Sequence, residues 1–169
     1  DILSGGAGSD VLSIVSAGTT LGVGVTSTGI ETVRVTATTA TTVNLQNFDD
    51  VTTVGNSGSS NTVAFSNAKV IPGIAQTNSS TNTTVTFLNA AVTAGTADSA
   101  AITLNGAGTT ASPTITMDGV ETLNITATGL ASGSTAAGAD WRVNISDNAL
   151  KTANIAGSVG ARLGITTSG

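Results

Sequence analysis

The chain has 169 residues, a net charge of −5, and neither cysteine nor histidine. The missing residue types exclude disulfides, zinc or copper sites built on Cys or His, and catalytic Ser-His or Cys-His pairs. The acidic balance argues against nucleic acid as a partner, and no apolar run has the length that membrane insertion of a helix requires.

A glycine-rich motif opens the chain. Residues 5–13, Gly-Gly-Ala-Gly-Ser-Asp-Val-Leu-Ser, fit the nonapeptide G-G-x-G-x-D-x-U-x at each fixed position, where U is a large apolar residue. Asp1, Leu3 and Gly5 stand where a preceding copy would end. The glycines permit a tight turn with inward carbonyl groups, and Asp10 adds a carboxylate. Because calcium prefers such oxygen ligands, the motif predicts a calcium site; a metal-free glycine turn is the alternative.

Short apolar-x-apolar triplets follow, separated by Gly, Asn, Ser and Thr. Alternation with a period of two is typical of strands with one buried face. The high content of Val, Ile, Leu and Thr, with 39% hydrophobic residues overall, predicts an ordered all-β protein. The triplets predict strands at 33–35, 43–45, 63–65, 85–87, 102–104, 115–117, 123–125, 143–145 and 163–165.

The spacing of these strands fits either a solenoid or a β-sandwich. Apolar pairs recur near Val43, Val54 and Val63, so that a coil of two strands would take about 20 residues. A narrow coil buries mainly small aliphatic side chains, whereas a sandwich usually contains more aromatic residues than the 2% found here. We therefore predict a right-handed parallel β-solenoid, with a β-sandwich as the alternative. Residues 73–84 and 129–139 are predicted loops or insertions.

A longer repeat is also present. Gly-Ile-Glu-Thr-Val-Arg-Val-Thr-Ala-Thr at residues 29–38 matches Gly-Val-Glu-Thr-Leu-Asn-Ile-Thr-Ala-Thr at residues 119–128. An aspartate lies upstream of each copy, Asp10 before the first and Asp98 before the second. The repeat predicts two degenerate modules, residues 1–96 and 97–169, which form either one continuous stack or two separate domains.

The nonapeptide and the two Gly-apolar-Glu-Thr copies resemble the RTX family of secreted calcium-binding bacterial proteins, and in particular its surface-layer (S-layer) members. The nonapeptide covers less than a tenth of the chain, and the remaining resemblance is one of composition and strand style. RTX proteins usually carry several consecutive nonapeptides, whereas this chain has one and a fragment. The resemblance implies that Glu31 binds calcium with Asp10, and that Glu121 does so with Asp118, or also with Asp98.

The full set of metal ligands that this resemblance implies is Asp1, Gly5, Gly6, Gly8, Asp10, Glu31, Asp118 and Glu121. For either glutamate, a solvated turn residue or an ion pair with a nearby arginine is the alternative. The adjacent pair Asp49-Asp50 could also bind a cation, but a solvated turn between strands is the simpler interpretation. Trp141 beside Arg142 could mark a carbohydrate or protein contact, but a cap on one end of a narrow coil is the simpler interpretation of Trp141.

The resemblance also implies a function. It predicts an extracellular structural component of the bacterial cell surface, stabilised by Ca2+, that assembles with itself into a lattice or homo-oligomer and meets surface polysaccharide through other domains. A segment of a secreted RTX adhesin or fibre that binds a surface or glycan is the alternative. We do not expect an enzyme, because five basic residues and few aromatics are too few to line a polysaccharide-cleaving groove. We expect the chain to be a portion of a longer protein, since Asp1 is not a natural start.

Overall fold

The computed structural model describes residues 1–92, 97–108, 110–128, 142–158 and 162–167, and within these ranges it consists of β-strands with no helix. The predicted loop at 129–139 and Trp141 lie outside the described residues. The strands are β1 Ile2–Ser4, β2 Val11–Ser16, β3 Thr20–Leu21, β4 Thr26–Thr28, β5 Thr32–Ala37, β6 Thr41–Asn44, β7 Thr53–Ser57, β8 Val63–Ala68, β9 Gly73–Thr77, β10 Thr83–Phe87, β11 Ser99–Asn105, β12 Thr114–Met117, β13 Thr122–Ala127, β14 Val143–Asp147, β15 Thr152–Gly157 and β16 Leu163–Thr167.

The strands stack into two parallel sheets. The first sheet has the order β15-β13-β11-β9-β7-β5-β2, and the second has the order β16-β14-β12-β10-β8-β6-β3. Since the chain visits the two sheets in turn, each visit to both makes one coil, and seven coils form a β-solenoid. Strands β1 and β4 pair with each other as a short third side beside the first coil. The prediction of a parallel β-solenoid is confirmed.

Inside the solenoid, side chains from successive coils stand in columns. One inner column of the first sheet contains Leu12, Val33, Val54, Ile74, Ile102, Ile125 and Ile155. Its first four members are 21, 21 and 20 residues apart, as the predicted coil length requires, and the later intervals are 28, 23 and 30 residues. The corners between strands therefore absorb the extra residues while the columns remain in register.

The two sheets continue across the predicted module boundary. Strand β9 pairs with β11, and β10 pairs with β12. The core between the sheets is built mainly of aliphatic side chains such as Val33, Ile102 and Leu123, which are fully buried. Burial of each such side chain stabilises the fold by about 1.5–3 kcal/mol. The stack is thus held by many similar contacts between neighbouring coils rather than by one centre.

The prediction of a loop at residues 73–84 is right only for residues 78–82 and wrong at both ends, because β9 occupies residues 73–77 and β10 begins at Thr83. The apolar pattern does not predict strand β9, because the second inward-facing residue of this strand is the polar Gln76. This side chain is fully buried and stands in the inner column between Asn56 and Leu104. A strand with only one large apolar residue, Ile74, does not show the alternation that predicts a strand.

Hydrogen bonds satisfy much of this polar interior. Asn56 donates from Nδ2 to Thr83 Oγ1 at 2.9 Å, and that hydroxyl donates to Gln76 Oε1 at 2.6 Å. Gln76 Nε2 donates to the Thr81 carbonyl oxygen at 2.8 Å. Buried amides are tolerated when they find such partners. Asn56 and Gln76, called here the inner amide pair, therefore belong to the third and fourth coils without breaking the stack.

Two carboxylate corners as the candidate functional site

The acidic residues of the sequence repeat lie at the corners where the chain returns from the second sheet to the first. The N-terminal corner consists of Asp10, Gly29, Glu31 and Asp50, which come from three successive coils. The C-terminal corner consists of Asp98, Gly119, Glu121 and Asp147, which again come from three successive coils.

At the N-terminal corner, carboxylates of one coil accept hydrogen bonds from the backbone of the coil before it. The Asp10 N–H donates to Glu31 Oε2 at 2.7 Å, and the Gly29 N–H donates to Asp50 Oδ2 at 2.7 Å. The Thr32 N–H donates to the Asp10 carbonyl at 3.1 Å, next to the first of these bonds. The acids thus fasten three coils together where the strands begin.

The C-terminal corner repeats this pattern. The Asp98 N–H donates to Glu121 Oε2 at 3.0 Å, and the Gly119 N–H donates to Asp147 Oδ1 at 3.3 Å. The Thr122 N–H donates to the Asp98 carbonyl at 3.0 Å, as Thr32 does to Asp10. The sequence repeat at 29–38 and 119–128 is therefore a repeat of one corner and of the strand that leaves it.

The nonapeptide forms the bend between β1 and β2, directly beneath the N-terminal corner. A Cβ added to Gly5 would lie 1.7 Å from the Gly29 carbonyl oxygen, so a side chain has no room there. Gly6 and Gly8 have φ angles of 90° and 132°, which L-residues rarely adopt. Two of the fixed glycine positions of the motif are thus needed for backbone angles, and one is needed for close contact between coils.

The structure brings some of the predicted ligands together. Gly5, Gly6, Gly8 and Asp10 share the first bend, and Glu31 contacts Asp10 from the next coil. Asp10 Oδ2 is buried and has no hydrogen-bond partner among the described residues. Among the predicted ligands in the described ranges, only Asp10 has a buried side-chain oxygen without a hydrogen-bond partner.

The other predicted ligands are placed apart from this group. Asp1 is exposed, and its carbonyl accepts a hydrogen bond from the Thr26 N–H at 3.0 Å. Asp118 is exposed at the end of β12, and the Glu121 carboxylate faces the Asp98 N–H and, at 3.7 Å, Lys151 Nζ. The ion-pair partner of Glu121 is thus a lysine and not the arginine that the alternative interpretation considers.

At the C-terminal corner, the carboxyl group of Asp147 is buried. Asp147 is 1% exposed, and this burial raises the pKa of its carboxyl group. Hydrogen bonds to Oδ1 from the N–H groups of Ala149, Val120 and Gly119 act in the opposite direction, and the nearby charge of Asp118 raises the pKa further. Asp147 Oδ2 has no hydrogen-bond partner in the described part of the chain.

Two acids of the corners were not predicted. Asp50 was interpreted as a solvated turn residue, whereas its carboxylate holds Gly29; its neighbour Asp49 forms an ion pair with Lys69. For Asp147 no role is predicted from the sequence. The available signal was spacing, because Asp50 lies one 21-residue coil after Gly29.

Within the described ranges, no three acidic, histidine or cysteine side chains come together in a way that could hold a metal ion. A cation at either corner would therefore need backbone oxygens or water as well. No helix in those ranges is long and apolar enough to cross a membrane. The chain matches no protein-family model, no curated protein and no solved structure.

Proposed function

We propose that this chain is a calcium-stabilised structural segment of a bacterial surface layer, a stiff extracellular block that assembles with copies of itself. The observation that carries the proposal is the N-terminal corner. There the RTX-like bend lies against the second coil, Glu31 contacts Asp10, and Asp10 Oδ2 is buried without a partner among the described residues.

The donor chemistry of this corner fits calcium. Asp10 and Glu31 are carboxylates, and the bend at residues 5–8 adds backbone carbonyl groups, all hard oxygen donors of the kind calcium binds. A buried carboxylate oxygen without a partner costs free energy, and a cation would offset that cost. At the C-terminal corner Glu121 already has Lys151 and a backbone N–H, so we place the calcium site at the N-terminal corner and not at Asp118 and Glu121.

When bound, calcium would supply the positive charge that balances the Asp10 and Glu31 carboxylates. The residues of the chain itself provide the shape: Gly5 lets the first bend approach Gly29, and Glu31 fixes the Asp10 backbone. An ion that binds this folded corner and not the unfolded chain stabilises it by mass action, by about 2.7 kcal/mol at a concentration 100 times the Kd.

Thermal melting tests the calcium role. With calcium in place of a chelator, we expect the melting temperature of the wild type to rise by about 5–10 °C, from that free energy and the size of the chain. Asp10→Asn should lose this rise. The matched control is Asp98→Asn at the C-terminal corner, which lacks the nonapeptide and should keep it. An unchanged wild-type melting temperature contradicts the proposal.

Assembly tests the structural role. We expect light scattering of the full chain to increase with calcium and electron microscopy to show ordered arrays or fibres rather than amorphous aggregate. Magnesium at the same concentration is the control for ionic strength. A chain that stays monomeric in calcium and instead binds immobilised glycans would contradict a building block and support the adhesin alternative.

A further inference from the structure

We infer that the outer faces of the two sheets bind each other between copies of this chain, with Arg34 of one copy inserted into a pocket beside Asp118 of the next. This inference rests on the proposed function and deepens it by naming the partner and the contact. The two outer faces lie on opposite sides of the core. Each copy therefore offers both halves of the contact, and a row of copies can grow sideways.

The outer faces of the two sheets carry few charges, and those of Arg34 and Asp118 are opposite. Of the described strand residues in the first sheet, Arg34 is the only charged one, and it is exposed. In the described strands of the second sheet the only charged residue is Asp147, which is buried, and the exposed Asp118 directly follows β12. Lys69, which follows β8, is paired with Asp49. The two faces can thus meet with one unpaired cation opposite one unpaired anion, which fixes their relative position.

Arg34 stands on the second coil as an exposed side chain among small neighbours. In its outward row it lies between Ser13 of β2 and Gly55 of β7, and Ala75 of β9 follows. A Cβ added to Gly55 would lie 3.6 Å from Arg34 Cγ, so the arginine side chain passes over a residue that has no side chain. These small neighbours leave the guanidinium group open to another molecule.

Arg34 is also the one basic residue without a polar partner in the part of the chain that the structure describes. Lys69 and Lys151 form ion pairs with acidic residues, and Arg142 and Arg162 also have interaction partners. A guanidinium group without a partner keeps all its N–H donors available to a carboxylate of another molecule. Arg34 is therefore the cation of this chain that a second copy can bind without breaking an existing contact.

The pocket lies on the opposite outer face, where β10 and β12 run side by side, and has a volume of about 240 Å³. Three hydroxyl groups and one carboxylate line it, together with two apolar side chains. These residues, called here the threonine pocket, are Thr84, Thr86, Thr116, Asp118, Phe87 and Val92. The hydroxyl groups and the carboxylate have no hydrogen-bond or ion-pair partner among the described residues. They are therefore available to a ligand.

A longer coil forms one wall of the threonine pocket. The interval between the inner residues of β9 and β11 is 28 residues, against 20 or 21 in the first coils. The extra residues include a turn in which the Ala91 N–H donates to the Leu88 carbonyl at 2.8 Å. Val92 follows this turn and packs on Gly119, where an added Cβ would lie 3.1 Å from Val92 Cβ. The insertion thus makes a recess in a sheet face that is otherwise built of short side chains.

The lining of the threonine pocket matches each part of an arginine side chain. The Asp118 carboxylate can accept paired hydrogen bonds from a guanidinium group, and the threonine hydroxyls can accept from its remaining N–H groups. Phe87 and Val92 offer apolar surface to the aliphatic part of the side chain. A neutral ligand such as a sugar would leave the Asp118 charge unbalanced. The chemistry therefore favours a cation, and Arg34 is the unpaired one that each further copy supplies.

The test is sedimentation velocity of the full chain over a wide range of concentration, in calcium. We expect the wild type to form a series of oligomers. Arg34→Glu and Asp118→Arg should each remain monomeric, because the contact then joins two like charges. The double variant reverses the pair and should form oligomers again. A mixture of the two single variants should do so as well, since each changed residue then meets the changed residue of the other variant.

The matched controls are Lys69→Glu and Asp49→Arg. They change the net charge by the same amounts as the two test variants, at an exposed ion pair outside the threonine pocket. Both should still form oligomers, which separates the proposed contact from an effect of overall charge.

Circular dichroism checks folding, and Arg34→Ala and Asp118→Asn replace any variant that unfolds. Each of these alone should be monomeric, and their mixture should give a dimer and nothing larger, because one intact contact remains. Single variants that assemble like the wild type, or a double variant that stays monomeric, would overturn the inference. A hexose polymer that the wild type binds and Asp118→Asn does not bind would assign the pocket to a glycan and also overturn it.

Melting in calcium is measured on the same samples. Neither Arg34 nor Asp118 belongs to the N-terminal corner, so both single variants should keep the calcium-dependent rise. If the wild type and the single variants assemble equally well, the contact is wrong while the proposed building block stands. If the wild type stays monomeric, both the contact and self-assembly are contradicted, and the melting data report on calcium binding separately.

Discussion

The N-terminal and C-terminal corners have the same hydrogen-bond pattern in different surroundings. In both, a glutamate accepts from the backbone N–H of an aspartate one coil earlier, and an aspartate one coil later accepts from a glycine N–H. Yet Glu31 is partly buried and Asp50 is exposed, whereas Glu121 is 8% exposed and Asp147 is 1% exposed.

This difference separates what the repeat encodes from what the rest of the chain encodes. The Gly-apolar-Glu-Thr element determines the corner geometry, since both copies reproduce it. The residues outside the element determine the electrostatic environment, because the lower contact of Gly29 is the glycine bend and that of Gly119 is the Val92 side chain. The same local sequence can therefore form a candidate ion site at the N-terminal corner and a buried set of hydrogen bonds at the C-terminal corner.

The largest effect is expected from Gly5→Ala, which tests whether the N-terminal corner depends on backbone contact. Because the added Cβ would lie 1.7 Å from the Gly29 carbonyl oxygen, we expect the first coil to detach with a loss of about 3–5 kcal/mol. Amide hydrogen exchange should show lost protection in β1 and β2. Gly55→Ala, whose Cβ meets ordinary contacts at 3.6 Å, is the control and should stay within about 1 kcal/mol of the wild type.

Replacing Glu31 or Glu121 compares the two corners directly, because each glutamate accepts a hydrogen bond from the backbone of the preceding coil. We expect Glu121→Ala to cost about 2–3 kcal/mol and Glu31→Ala about 1 kcal/mol, because Glu121 is the more buried of the two glutamates and water can less easily replace its carboxylate as the acceptor. Urea unfolding in the presence of chelator measures both. Glu121→Gln, which keeps an acceptor oxygen, should recover part of the loss. Equal losses at the two positions would contradict the difference in burial.

Asp147→Asn tests the raised pKa. Burial favours the neutral carboxyl in the folded chain, so its contribution to stability is fully present below the ordinary pKa of 3.8 and is lost as pH rises through the folded value. Near neutral pH we expect the variant to melt about 2–4 °C above the wild type, the shift that about 1 kcal/mol produces. The gain should vanish in acid.

The smallest effect is expected from Lys151→Ala. Its Nζ lies 3.7 Å from Glu121 Oε1 and its side chain is 71% exposed, so the ion pair should contribute less than about 0.5 kcal/mol. Thermal melting at low and high salt measures it. A loss as large as that of Glu121→Ala would mean that the ion pair, and not the bond to the Asp98 backbone, is the main role of Glu121.

The fold could be predicted from the sequence where inner residues are aliphatic. The triplets at 33–35 and 123–125 lie in β5 and β13 because alternation reports one buried face directly. Strand β9 was missed since Gln76 occupies an inner position through hydrogen bonds that join it to Thr81 and Thr83. Such partners depend on the stacking of coils and leave no local pattern.

The candidate site was predictable only in part for the same reason. Asp10 and Glu31 were associated through a family resemblance, and the structure places them in contact. Asp50 and Asp147 hold glycines that lie 21 and 28 residues earlier in the chain. Because coil length varies, sequence distance alone does not tell which acid will lie above which glycine.

The inner amide pair has a consequence for how the chain finds its alignment. Coils lined only by valine, leucine and isoleucine are nearly interchangeable, so a growing stack could slip by one coil at little cost. Asn56 and Gln76 would then face aliphatic neighbours and lose the hydroxyl of Thr83 that joins them. Their amides therefore penalise a stack in which the third or fourth coil has slipped out of place.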